Sequence, residues 1–248
     1  MSKASFLSAP NEWALPIFQG TKLGIVSADS LIGTWVVLGV LAVAVCVARY
    51  YLRQQESLGR FLLISFTKDF MDLITQSCGA FKYVHFSFIT ALFLFILFCN
   101  TAGLLPFIKE PTADINTTFA LSITVFLYTL YHGIRVRGVG GYLKEYIEPF
   151  FLFLPLHVMG KLSSVASLAL RLFGNIMGGA IITDIYLHTA GGSWYIALGG
   201  IGSGVSIIIA GFFCLFEGFI QAFVFCMLAL TAIASDTSTH TKDEEYIP

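Results

Sequence analysis

The chain has 248 residues, of which 56% are hydrophobic and 12% charged, whereas soluble domains run at about 45–50% apolar and about 25% charged. That balance excludes an ordinary soluble globular domain, and a formal net charge of -1 excludes the basic surface that nucleic acid requires. An all-α polytopic membrane protein with about five to six membrane helices is predicted.

Residues 1–30 form an N-terminal segment with Pro10, Trp13 and Pro16 but no basic stretch leading into a short apolar core, so no removable signal peptide is expected. The first membrane helix is predicted over 31–52, about as long as a bilayer core demands, with Arg49 and Arg53 marking a cytoplasmic end. Residues 53–82 mix Glu56, Arg60, Lys68, Asp69 and Asp72 with Phe61, Leu62, Ile64, Phe66 and Phe70, which predicts an interfacial amphipathic connector on the cytoplasmic side. A second membrane helix is predicted over 83–107, where Asn100 is placed to meet a neighbouring helix, and a third over 117–134. Arg53, Arg60, Lys68, Lys82, Arg135, Arg137 and Lys144 then fall inside, against Lys3, Lys22 and Lys109 outside.

Residues 148–189 are too long for one upright crossing, since about 40 helical residues reach roughly 60 Å against a hydrocarbon core of about 30 Å. Either the segment folds back near Pro155 or Gly160, or it is a steeply tilted helix. The long C-terminal membrane helix, 193–235, poses the same problem, with Gly199, Gly200, Gly202 and Gly204 offering a bend, and 236–248 reads as an exposed polar tail.

Arg171 stands in the middle of the first overlong run. A guanidinium at the centre of a membrane helix costs at least roughly 2.5 to 3.5 kcal/mol and cannot discharge itself, so it needs an anion or water to meet it. No carboxylate lies within a helical turn of it. Asn175 shares its face at i+4, and Gly174, Gly178 and Gly179 would let another helix come close. Asp184 lies about 20 Å further along the axis, able to line a watery path with His188 or to sit as an interfacial acid. Glu217 and Gln221 form an i, i+4 pair on the last helix. Glu217 fits proton relay, or a structural bridge to Lys161, which could equally snorkel to the interface. His85, His132 and His157 sit near helix ends, where an interfacial role is expected. The five cysteines have no C-x-x-C spacing and read as small buried hydrophobes, with neither disulfide framework nor metal site.

The run from Ser167 to Asn175, SLALRLFGN, resembles the signature of subunit a of F-type ATP synthases. PTADINTT at 111–118, LPLH at 154–157 and IQAFVF at 220–225 are similar to further stretches of that family. The resemblance implies a stator facing a rotating ring of c subunits, with two long, strongly tilted C-terminal helices packed as a hairpin against that ring. It implies that Arg171 faces the ring's proton-carrying carboxylate, with Asn175 and Gln221 as its polar companions. The implied partners are the c-ring, peripheral-stalk b subunits, other ATP synthase subunits and the lipid bilayer, with no nucleic acid and no cofactor. The implied membrane is the bacterial inner membrane or, alternatively, an organellar energy-transducing one. No P-loop glycine spacing is present, so ATP chemistry would belong to other subunits. The chain departs from many bacterial relatives in having Ala180 after Gly178-Gly179, Lys161 near the place of an acid, and Glu217 unusually close to Gln221. Asp184 and Glu217 are therefore expected to take over the lining of the proton path.

Two other readings fit the residues alone. One is a secondary transporter with an arginine-lined anion site, although no internal duplication is visible. The other is a non-transporting scaffold whose arginine pairs with a partner's acid.

Overall fold

The structure, a computed structural model, describes residues 12–14, 25–54, 58–79, 82–104, 110–147, 154–191 and 212–237. A two-stranded antiparallel ladder, β1 (Glu12–Ala14) with β2 (Ile25–Ser27), pairs Trp13 with Val26 ahead of the helices. Six α-helices follow among the described residues: α1 (Ala28–Arg53), α2 (Leu58–Cys78), α3 (Tyr83–Thr101), α4 (Ile115–Ile147), α5 (Leu154–Gly191) and α6 (Gly218–Thr237). Five spans among the described residues are long and apolar enough to cross a membrane: Ser30–Arg53, Tyr83–Thr101, Ile115–Tyr142, Leu154–Ile182 and Leu215–Asp236, the last beginning just ahead of α6. The protein is therefore an integral, multi-pass, all-α membrane protein.

Helix α6 is central. Its buried positions, Gly218, Gln221, Ala222, Phe225, Cys226, Ala229, Leu230, Ile233 and Asp236, recur every three or four residues and make one stripe. Against that stripe pack Ile89, Leu92, Phe93 and Ile96 of α3, Val125 of α4, Leu168 and Leu172 of α5, and Phe70 and Ile74 of α2. Lipid tails are as apolar as these side chains, so close van der Waals fit rather than escape from water holds the helices together. Small residues at Ala222 and Ala229 permit that fit. By contrast α1 presents Leu31, Ile32, Trp35 and Val43 outward, as a lipid-facing helix does.

Helix α2 contributes Phe66, Phe70, Ile74 and Cys78, at four-residue spacing, to the central cluster. The connector is thus anchored by an apolar stripe, while Leu58, Phe61 and Leu62 remain exposed. Helix α3 ends at Thr101 and tightens into a 3-10 turn, Ala102–Leu104, short of the 107 limit expected from hydropathy.

Helix α4 extends beyond the 117–134 span and bends at Gly138, whose φ of 72° suits a residue without a Cβ. Beyond the bend Tyr142 packs back on Gly133, where an added Cβ would lie 2.9 Å from its ring. Helix α5 is a single helix of 38 residues, about 57 Å long. It does not fold back at Pro155 or Gly160. The glycines at 199, 200, 202 and 204 lie outside the described residues.

Candidate functional site

Where α4, α5 and α6 meet, a cavity of about 410 Å³ opens between Arg171 at one end and Lys161 with Asp236 at the other. Lys161 lies ten residues before Arg171 on α5, so the two cations stand about 15 Å apart along the axis. Hydroxyls of Ser122 and Thr129 from α4, Ser164 and Ser167 from α5, and Thr231 and Ser235 from α6 line the space between. Ser122 Oγ also donates to the Val165 carbonyl at 3.0 Å, tying α4 to α5 at the cavity wall.

Arg171 is exposed, and among the described residues no carboxylate pairs with it. Its face of α5 is open. Leu170, Met177, Ile181 and Ile182 are exposed, Asn175 is half-buried, and a Cβ added to Gly174 or Gly178 would meet nothing within 4 Å. Those glycines therefore do not serve close packing within the described chain, and they leave the surface around the guanidinium low.

Gln221 faces inward from α6 and is only 7% exposed. Its Nε2 has no hydrogen-bond partner among the described residues. An unsatisfied buried amide costs about 1–3 kcal/mol, a burden that marks a place where water or a partner group is taken up. Glu217, half-buried, closes a π-helical turn, Phe212–Glu217, that leads directly into α6. Such turns are rare and recur at functional sites.

The junction after Glu217 is pinned from α3. Asn100, fully buried, donates from Nδ2 to the Gly218 carbonyl at 3.1 Å and accepts at Oδ1 from Thr112 Oγ1 at 3.0 Å. Thr112 belongs to the 3-10 turn Pro111–Ala113 of the PTADINTT stretch. Gly218 suits this close approach, because a Cβ would sit 3.1 Å from that of Asn100 and push it aside by a few tenths of an ångström. Asn100 thus meets a neighbouring helix, as its position in the sequence indicates.

Lys161 is not the partner of Glu217. Its Nζ donates to both carboxylate oxygens of Asp236, at 2.8 and 3.0 Å. Asp236 is not the start of an exposed tail either: it is 8% exposed, and α6 continues to Thr237. The reason is register. Three residues after Ile233, Asp236 lies on the buried stripe of α6, and that stripe signals its burial in the sequence before any coordinates.

Asp184 lies on α5 beyond Ile182, and the side chains of Asp184 and His188 lie outside the described residues. His157 is exposed. His85 and His132 come together instead: His85 Nδ1 lies 2.9 Å from Tyr128 Oη, and the His132 ring stands edge-on to His85 at 4.8 Å.

The profile of the ATP synthase A chain family matches residues 31–233 of this chain. The chain belongs to that family. It is 33% identical over 222 residues to ATP synthase subunit a 2 of Acaryochloris marina, across 87% of this chain and 90% of that one. It is 30% identical over 224 residues to ATP synthase subunit a 1 of Prosthecochloris aestuarii, across 87% and 92%. With ATP synthase subunit a of Desulforamulus reducens the identity is 38% over 155 residues, 62% of this chain but 57% of that relative's length. The matched range takes in Arg171, Asn175, Glu217 and Gln221 and stops at 233, before Asp236.

Proposed function

We propose that this chain is the proton-channel stator subunit of an ATP synthase membrane sector, working against a ring of c subunits and held by peripheral-stalk b subunits and other ATP synthase subunits. The observation that carries this is Arg171: a guanidinium on an uncovered apolar face of α5, with no carboxylate beside it among the described residues. A fixed cation in low dielectric calls for an anion. A carboxylate on a moving neighbour meets that demand transiently, where an acid of the same chain would quench it permanently.

The chemistry follows from electrostatics. A protonated ring carboxyl group is neutral and tolerates lipid. As it reaches Arg171, the positive charge favours its ionised form and releases the proton. Arg171 cannot become neutral itself, so it bars direct leakage between two offset half-channels. The membrane potential contributes about 2.3 kcal/mol per charge per 100 mV. Gln221, whose buried Nε2 has no partner among the described residues, together with Asn175 positions the exchanging group. Glu217, Asp184 and His188 line the half-channel on the outer side. The two long helices lie tilted along the ring, a placement that about 57 Å of unbroken α5 favours over an upright crossing. The subunit carries no catalytic site of its own. The bacterial organisms of its relatives favour a bacterial inner membrane.

Arg171→Ala tests the reading. In vesicles reconstituted with the whole complex, ATP synthesis driven by a proton gradient is expected to vanish, and Arg171→Lys is expected to fail too because a buried lysine can lose its proton. Normal coupled synthesis in Arg171→Ala would rule the role out.

A further inference from the structure

Asp236 contributes the one carboxylate among the described residues lining the Arg171 cavity. It is only 8% exposed and held by Lys161 at 2.8 Å. It sits 19 residues after Glu217, about 28 Å along the axis of the last helix, so the two acids occupy opposite ends of the span. Arg171 lies between those levels, because it stands about 15 Å along α5 from the Lys161 that meets Asp236 and shares the cavity wall with Leu228 and Ala229 of α6. A buried carboxylate costs several kcal/mol to desolvate, and replacing such a pair by apolar residues is often neutral or stabilising. A pair retained at the end of a hydroxyl-lined cavity therefore asks for a use beyond holding two helices together.

From this geometry we infer that Asp236 is the proton-accepting group of the inner half-channel, held in place by Lys161. The inference rests on the stator reading above. A proton released near Arg171 crosses the cavity on water supported by the serine and threonine hydroxyls, and an Asp236 carboxylate oxygen takes it up as an O–H bond. Water on the side of Arg135 and Arg137 then removes it and restores the carboxylate. Lys161 holds both carboxylate oxygens in place at the cavity wall. On the α4 side, Arg137 Nη2 donates to the Ser235 carbonyl at 3.3 Å and fixes the end of α6 that presents Asp236.

The test uses the complete complex in vesicles, read out as passive proton flux after the soluble ATPase is stripped, with assembly followed by co-purification of the c subunits. Asp236→Asn and the neutral pair Lys161→Gln/Asp236→Asn are expected to assemble and to slow flux at least about tenfold, the scale on which losing a positioned acid–base group is felt. Asp236→Glu, which keeps the acid, is expected to conduct within about twofold of the native chain. Native flux through the assembled neutral pair, or its failure to assemble, makes Asp236 a structural clamp and overturns the inference. Arg171→Ala is assayed alongside by ATP-driven pumping. Lost pumping there with native flux in the amide variants sinks the Asp236 role alone, whereas normal pumping in Arg171→Ala sinks the stator reading.

Discussion

The two ends of the last helix are fastened by different chemistry. At the Gly218 end the fastening is neutral: the Asn100 amide bridges a backbone carbonyl and the Thr112 hydroxyl, all fully or nearly buried. At the Asp236 end it is ionic, with Lys161 on the carboxylate and Arg137 on the Ser235 carbonyl. The Lys161 side chain is 34% exposed, so it keeps part of its hydration, whereas a charge at Asn100's depth would forfeit nearly all of it. Neutral hydrogen bonds are affordable at any depth. Charged ones are confined to positions that water or a cation can reach.

The sharpest way to break this comparison is at the neutral end. Asn100→Ala removes two hydrogen bonds, orphans a buried hydroxyl and a carbonyl, and leaves a void, a cost of about 3 kcal/mol. Thermal unfolding of the detergent-solubilised complex should fall accordingly, and an unchanged midpoint would mean that this contact holds nothing. Lys161→Met is next, about 2 kcal/mol, below the full cost of orphaning a buried charge because the lysine is partly solvated. Adding Asp236→Leu to it should recover most of the loss, since no charge then stays unpaired. Gly218→Ala, which pushes a Cβ to 3.1 Å from Asn100's, is expected to cost about 1 kcal/mol on the same melting assay. The smallest effect concerns salt. Raising ionic strength should lower the midpoint of the native chain slightly and leave that of Lys161→Gln/Asp236→Asn unmoved, because screening reaches only charged, partly exposed partners.

Much of the candidate site is legible in residue order alone because membrane burial makes charge conspicuous. Arg171 in an apolar run, Asn175 one turn on, and the Glu217 and Gln221 pair all follow from helical spacing and the cost of a charge in oil. The partner of Lys161 did not follow, since an ion pair between residues 75 positions apart depends on how α5 and α6 align. Asp236 looked like the first residue of a polar tail because the acids after it dominate the composition of that stretch. Its place on the Ile233 stripe carried the opposite message, which the helix's continuation to Thr237 makes decisive.

By itself the amino-acid order determined the class of the protein and the apolar stretches able to cross a membrane, and it singled out Arg171 as a guanidinium inside one of them. Each of these is a local property, fixed by hydropathy over about 20 residues or by a single side chain that cannot lose its charge. Tertiary structure alone decided that α5 runs unbroken, that no described residue closes on Gly174 or Gly178, and that Lys161 closes on Asp236 at the far end of the Arg171 cavity. Those features depend on which helix faces meet. In a bilayer that choice is made by shape and polar pairing, because lipid offers every apolar face the same welcome.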